Sequence, residues 1–460
     1  MRLVDSHAHL DFAEFDPDRA EVINRARQSG VVAVVNAAAD LAGSRRALQL
    51  ASANADIFAA VGIHPHEAAD VSDEAWQELE TLADHPRTVA VGETGLDFYR
   101  DLSPRDAQAG LFRRHLDLAG RKDLPVIVHS RDAQAETVAI LEQASAAGPL
   151  RGVMHCFSGS AQTARRCIEM GLLISFSGTV TFPNARKVQS VVESVPVEKM
   201  LIETDAPYLA PQPRRGKRNE PAFVRFTAAK LAEIKKLSVE DLARVTSLNA
   251  DNLFGLGLEM PVGNIAYPIR DSLYLNITNR CSNECVFCIR SRTDFVKGHH
   301  LRLSREPEYD QVLRALELQG LERYREVVFC GYGEPTERLD LLKRIAAELK
   351  RRGKTVRLVT NGQGDLINGR PVVEELVGLV DRASVSLNTA SPEQYRTLCC
   401  SRFGEAAYPA VVDFIRRAAA QLPEVEVTAV TAPDVDVEAV RRLADELGVR
   451  LRLRQYDEVG

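Results

Sequence analysis

A strand-like segment followed by a helical one recurs eight times in the first half of this chain, and that rhythm limits the folds open to it. Apolar strand candidates stand at Leu3–His9, Val31–Ala37, Ile57–Ile63, Thr88–Gly92, Pro125–His129, Gly152–His155, Leu172–Ser177 and Met200–Asp205. Helical patterns such as Pro104–Arg121 and Ala161–Met170 lie between them. Eight such pairs in roughly 250 residues predict an α/β fold, a (β/α)8 TIM barrel. The strand runs are rich in Val and Ile without clean alternation, which suits a parallel sheet buried on both faces.

Barrel chemistry collects at the C-terminal ends of the strands. His7 and His9 close the first segment and point the same way, because successive side chains in a strand alternate faces. His64 and His66 follow the third, Glu93 the fourth, His129 the fifth, His155 the sixth and Asp205 the eighth. Six of the ten histidines thus fall on one predicted rim, where filler residues would scatter. Four histidines with Glu93 and Asp205 can hold two divalent ions, with Glu93 placed to bridge them. Imidazole with carboxylate suits zinc, manganese or magnesium. Paired metals polarise a phosphoryl or carbonyl oxygen and lower the pKa of a bound water. A carboxylate beside that water can act as general base, so Asp205 can ligate, take the proton, or do both.

The motifs Asp5-Ser6-His7-Ala8-His9, Gly62-Ile63-His64-Pro65, Gly92-Glu93-Thr94-Gly95-Leu96-Asp97, His155-Cys156-Phe157-Ser158-Gly159 and Glu203-Thr204-Asp205-Ala206-Pro207-Tyr208 resemble those of the TatD family of metal-dependent hydrolases, over about residues 1–256. The resemblance implies a two-metal barrel that cleaves DNA, from the 3′ end of single strands. It implies His7, His9, Glu93, His129, His155 and Asp205 as ligands, and places His64 near the substrate phosphate. The one dense basic stretch, Pro213 to Pro221, also matches the family, so Arg215, Lys217 and Arg218 are expected to grip backbone phosphates, with Glu220 positioning Arg215. Single-stranded DNA or another nucleic acid is the substrate expected.

At 460 residues the chain needs more than one domain. No apolar run approaches a membrane span, and the start lacks a signal-peptide layout, so a cytoplasmic protein with no membrane partner is expected. The net charge of −6 is too acidic for binding nucleic acid by bulk charge, which leaves local contacts. Glycines and a proline between Phe254 and Asn264 break the helical pattern. The expected domains are 1–258 and 268–460, joined by a linker at 259–267.

The second half opens with Cys281, Cys285 and Cys288, spaced Cys-x3-Cys-x2-Cys. Zinc sites need a fourth ligand; three close thiolates on a loop suit a [4Fe–4S] cluster with one iron open. Strand candidates at Asp271–Thr278, Arg325–Phe329, Thr355–Thr360, Arg382–Leu387, Val425–Thr431 and Val449–Arg454 alternate with helices, and Cys330-Gly331-Tyr332-Gly333-Glu334-Pro335 is a loop whose glycines let backbone approach a ligand. The cysteine triplet with Phe287, and the loop after Phe329, resemble the radical S-adenosylmethionine (radical SAM) superfamily over about residues 268–460. The resemblance implies a partial (β/α)6 barrel, a cluster on the three cysteines, an external electron donor, and reductive cleavage of S-adenosylmethionine. Gly331, Gly333 and Glu334 would meet the cofactor's amino group, and Thr360, Asn361 and Asn388 its ribose.

Two other readings stay open. The barrel can hydrolyse another ester or amide, including one on a tRNA, because such a site does not fix the bond broken. The iron–sulfur half can be a redox-sensing or regulatory module, which a fourth ligand would favour. Cys399 and Cys400 are read as small buried residues, with a thiol hydrogen donor as the alternative. His299-His300 is expected in a loop, and Trp76 in packing.

Overall fold

The computed structural model describes residues 1–146, 148–258, 263–291, 293–431 and 435–454. The chain forms two compact units, Met1–Leu258 and Glu259–Gly460. Residues 259–262 of the expected linker lie outside the described residues.

In the first unit eight strands pair in chain order, all parallel: β1 (Leu3–Ala8), β2 (Val31–Ala37), β3 (Ile57–Val61), β4 (Thr88–Asp97), β5 (Val126–Arg131), β6 (Gly152–Met154), β7 (Leu172–Phe176) and β8 (Met200–Ile202). The ring closes where Ser6 Oγ donates to Ile202 O at 3.0 Å, His9 N to Ala206 O at 2.8 Å and Asp205 N to His7 O at 2.9 Å. This is the expected barrel. Apolar strand faces pack outward on helices, and Val4, Val35, Phe58, Val89, Ile127 and Leu201 fill the inside. Leu253 and Phe254 of the helix Val239–Phe254 join that inner cluster and floor the barrel at its N-terminal end. Ser238 caps this helix as its sequence suggests, its Oγ accepting from Asp241 N at 3.0 Å.

Two strands run further than their sequences indicate. β4 continues to Asp97 and β5 to Arg131, paired from Thr94↔Val128 to Asp97↔Arg131 after a register shift between Val91 and Thr94. Glu93 and His129 therefore sit inside strands, not at their ends. Gly92 and Gly95 read as punctuation, yet they permit the pairing: a Cβ on Gly95, at φ +138°, would lie 2.0 Å from His129 O.

His115, on the helix Arg105–Lys122, braces β3 from outside. Its Nδ1 lies 2.9 Å from Leu111 O and its Nε2 accepts from Ile63 N at 3.1 Å, with Trp76 packed edge-on. Burial lowers its pKa to about 4, which keeps it neutral and able to accept.

The second unit is a seven-stranded open sheet in the order β17-β16-β15-β14-β13-β10-β9. Its strands are β9 (Ala266–Ile269), β10 (Ser272–Leu275), β13 (Glu326–Phe329), β14 (Thr355–Thr360), β15 (Arg382–Ser386), β16 (Glu424–Val430) and β17 (Arg450–Arg454); a separate hairpin holds β11 (Phe295–Val296) and β12 (His299–His300). All six expected strands are present. β9 is added across the end of the expected linker, antiparallel to β10. It contains Pro268, which argues against a central strand and is tolerated on this edge. His299 and His300 are strand residues and not a loop; His299 is buried with Nε2 2.9 Å from Pro268 O.

Candidate metal centre and cysteine loop

The barrel mouth brings all six expected ligands together around Glu93. Glu93 Oε2 lies 3.4 Å from His7 Nε2 and 3.6 Å from His9 Nε2; Asp205 Oδ1 completes that side at 3.6 and 3.4 Å from the same two nitrogens. Glu93 Oε1 lies 2.7 Å from His129 Nδ1, 2.8 Å from His155 Nε2 and 3.7 Å from His64 Nε2. One carboxylate thus faces two separate sets of donors. His7 Nε2 and His9 Nε2 approach to 3.2 Å, as do His129 Nδ1 and His155 Nε2 to 3.1 Å. Ring nitrogens converging beside carboxylate oxygens form the donor set of a divalent cation, so the residues fit two such ions.

The electrostatics agree. Burial would raise Glu93, but the His155, His7 and His64 rings hold its carboxyl well below the usual range. Burial also opposes ionisation of Asp205, and the hydrogen bond with His9 together with the His7, His155 and His9 rings outweighs it. The carboxylates stay charged in a buried place.

A surrounding layer of residues aims these ligands. His9 Nδ1 sits 2.7 Å from Ala37 O, and His129 Nε2 sits 3.2 Å from Asp97 Oδ2, which also meets His66 Nε2 at 3.0 Å. Asp97 Oδ1 accepts from Tyr99 N and Arg100 N. Burial raises the Asp97 carboxyl, yet the bonds from His129 and the Arg100 amide pull it below the usual range. Glu203 Oε1 accepts from Cys156 N at 2.7 Å beside His155 Nδ1. Asp5 binds Thr204 N and Oγ1 at 2.9 and 2.5 Å, and burial pushes its carboxyl up to about 8. These roles were missed from sequence. Period two along one strand face offered the signal, since Glu93, Gly95 and Asp97 share a side once β4 is extended.

The basic stretch divides. Arg215 and Lys217 are exposed, with Arg215 4.8 Å from the Phe182 ring centroid. Arg218, expected on phosphate, is instead committed to both Asp18 oxygens at 2.7 Å and lies over Phe15. Glu220 does not position Arg215; it pairs with Arg25 at 2.6 Å. Asn219, unassigned from sequence, donates to Thr204 O and Tyr208 O and holds the Asp205 loop.

In the second unit Cys281, Cys285 and Cys288 lie on one partly buried loop past β10. Three thiols there, with a further sulfur at Cys399 beside Cys285, fit a cluster carried by the triplet. The loop is clamped by a second segment: Arg402 N donates to Ser282 O at 2.9 Å, Glu284 N to Cys399 O at 3.2 Å and Val286 N to Leu398 O at 3.0 Å. Gln363 ties both, with Nε2 on Asn283 Oδ1 and Tyr395 OH and Oε1 taking Ser401 Oγ. Cys399 is buried and hydrogen-bonded to Cys285, which, with burial, keeps Cys285 protonated; Cys400 is exposed, contrary to its expected burial.

Glu334, Thr360 and Asn361 converge. Glu334 Oε1 accepts from Thr336 N, Thr336 Oγ1 and Thr360 Oγ1, and Oε2 from Asn361 N, at 2.7 to 3.1 Å. Asn361 Nδ2 reaches Ser282 Oγ at 2.7 Å. Asn388 stands apart, with Nδ2 3.7 Å from Cys399 Sγ. The glycines have a nearer reason than ligand approach: a Cβ on Gly331 would lie 2.3 Å from Asn276 Oδ1, and one on Gly333 2.2 Å from Arg280 O. They let this loop close on the segment leading to the cysteines.

Residues 4–255 match the family model described as TatD related DNase, and residues 275–447 match the Radical SAM superfamily. A Bacillus subtilis protein named uncharacterized metal-dependent hydrolase YabD is 43% identical over 252 residues, 55% of this chain and 98% of its own. A Pantoea ananatis protein named 3′-5′ ssDNA/RNA exonuclease TatD is 36% identical over 262 residues, 55% of this chain and 100% of its own. The crystal structure of the Escherichia coli TatD homologue YJJV is 33% identical with a TM-score of 0.53, covering 55% of this chain and 98% of that one. Among the described residues no helix is long and apolar enough to cross a membrane.

Proposed function

The chain belongs to the TatD-related DNase family and carries a radical SAM domain after its barrel, and on that premise we propose that it is a bifunctional enzyme. The barrel hydrolyses phosphodiester bonds of single-stranded nucleic acid with two divalent ions. The second unit cleaves S-adenosylmethionine reductively with a [4Fe–4S] cluster and an external electron donor. The observation that carries the first part is Glu93, whose two oxygens each face their own set of ring nitrogens.

His7, His9 and Asp205 would hold one ion, His129 and His155 the other, with Glu93 between them. When bound, such a pair polarises the phosphoryl group and acidifies a water. Asp205, on the rim and 14% exposed, takes the proton from the attacking water. His64 Nε2, beside Glu93, faces the substrate phosphate, and Arg215 and Lys217 hold the backbone further out. Asp97 and Glu203 keep His129 and His155 turned toward the centre.

In the second unit Cys281, Cys285 and Cys288 would hold the cluster, which would supply the electron for cleaving the cofactor. Glu334, Thr360 and Asn361, already joined to Ser282 beside Cys281, form the cofactor's side of the site. One observation favours a second reading, a redox-sensing module: Cys399 offers a fourth sulfur at Cys285.

Two assays test this. A single-stranded oligonucleotide is incubated with Mn2+, Mg2+ or Zn2+; cleavage by the wild type and loss in His155→Ala is expected, and activity surviving in His155→Ala counts against the barrel assignment. The anaerobically reconstituted protein, given S-adenosylmethionine and dithionite, should yield 5′-deoxyadenosine, and Cys285→Ala should not. A well-formed cluster without product favours the sensor.

A further inference from the structure

Three aromatic side chains at the barrel mouth have no part in the chemistry above. Tyr208 follows β8 and its ring centroid lies 6.5 Å from that of His9 and 6.3 Å from that of Phe12; Phe12 itself stacks on His9 at 4.6 Å. The Tyr208 backbone is fixed, with N donating to Asp205 O at 2.9 Å and O accepting from Asn219 Nδ2 at 2.6 Å. Its side chain is not packed away: Tyr208 is 50% exposed, and its hydroxyl has no hydrogen-bond partner among the described residues. Tyr99, past the end of β4, is 61% exposed, and the Arg131 guanidinium lies 3.9 Å from its ring centroid.

We infer that Tyr208 is a stacking platform for the nucleobase next to the scissile phosphate, with Tyr99 serving a neighbouring base, and that these rings make the site choose unpaired strands. Open π-faces beside guanidinium groups are how proteins hold single strands without reading sequence. A base in a duplex has both faces covered by its neighbours and cannot use them. A tyrosine serving only to shield His9 would be buried against it, and half of this one is open to solvent. The inference rests on the phosphodiesterase reading.

The test pairs a protein change with a substrate change. The full chain, with Mn2+, is given a single-stranded oligonucleotide and a matched strand whose 3′-terminal residues are abasic. Tyr208→Ala should raise KM on the normal strand by about 5-fold or more, the loss expected for one base–aromatic stack, with kcat little changed. On the abasic strand wild type and Tyr208→Ala should be equal, and Tyr208→Phe should match the wild type on both. Equal KM for wild type and Tyr208→Ala on the normal strand, or the same loss on both strands, overturns the inference and leaves the phosphodiesterase reading standing. No cleavage of either strand by the wild type with any divalent ion overturns both.

Discussion

The two units set their reactive side chains by opposite means. In the barrel, the candidate ligands come from five strands, and the sheet itself fixes their spacing: His7 in β1 with His9 just past it, Glu93 in β4, His129 in β5, His155 after β6 and Asp205 after β8. In the second unit three cysteines come from one loop past one strand, and their geometry depends on a clamp from residues 398–402 with Gln363 as the tie. A site built on a closed sheet resists local change, because its side chains are spread over five strands. A site on a single loop is only as fixed as what grips the loop.

That contrast can be broken at several points, beginning with the largest effect. Glu93→Gln removes the one charge that faces both donor sets and should cost at least about 10³-fold in oligonucleotide cleavage, beyond the 10–100-fold typical of residues behind the ligands; metal content by mass spectrometry should fall with it. Activity within tenfold of wild type would refute the bridging role.

His115 tests the barrel's outer brace through pH. Its folded pKa of about 4 lies below the ordinary 6.5, so the unfolded chain takes up the proton first. The stability it contributes is whole above pH 6.5 and is lost as pH falls from there to about 4, by up to roughly 3 kcal/mol. Urea unfolding of the barrel at pH 7 and pH 4.5 should show that loss, and His115→Gln should lack this part of it.

Asp97→Asn keeps the shape but weakens the bond that orients His129. A 10–100-fold loss in metal affinity or activity is expected, and titration with Mn2+ should show it as a weaker affinity. Gln363→Ala sharpens the comparison from the other side. It leaves buried partners on Asn283, Tyr395 and Ser401 unmet, at about 1–3 kcal/mol, so the reconstituted second unit should bind less iron while oligonucleotide cleavage is unchanged. An equal drop in both activities would mean the clamp is not local.

The ligands were legible because strand ends and period two are local signals. Asp97 was not, because Gly92 and Gly95 look like the end of a strand when they are what lets β4 lie against β5. β9 was missed, and its Pro268 argues against a strand anywhere but at a sheet edge. Arg25 with Glu220, and Arg218 with Asp18, join residues about 200 positions apart, so nothing near either arginine in the chain announces its partner.

The floor that Leu253 and Phe254 place under the barrel makes it a cul-de-sac. Whatever reaches Glu93 comes in past the rim and must back out by the same door. A polymer can offer its tip or lie across the opening, but it cannot be drawn through like thread through a ring. On the proposed phosphodiesterase reading, the remaining strand and the released piece would share one exit.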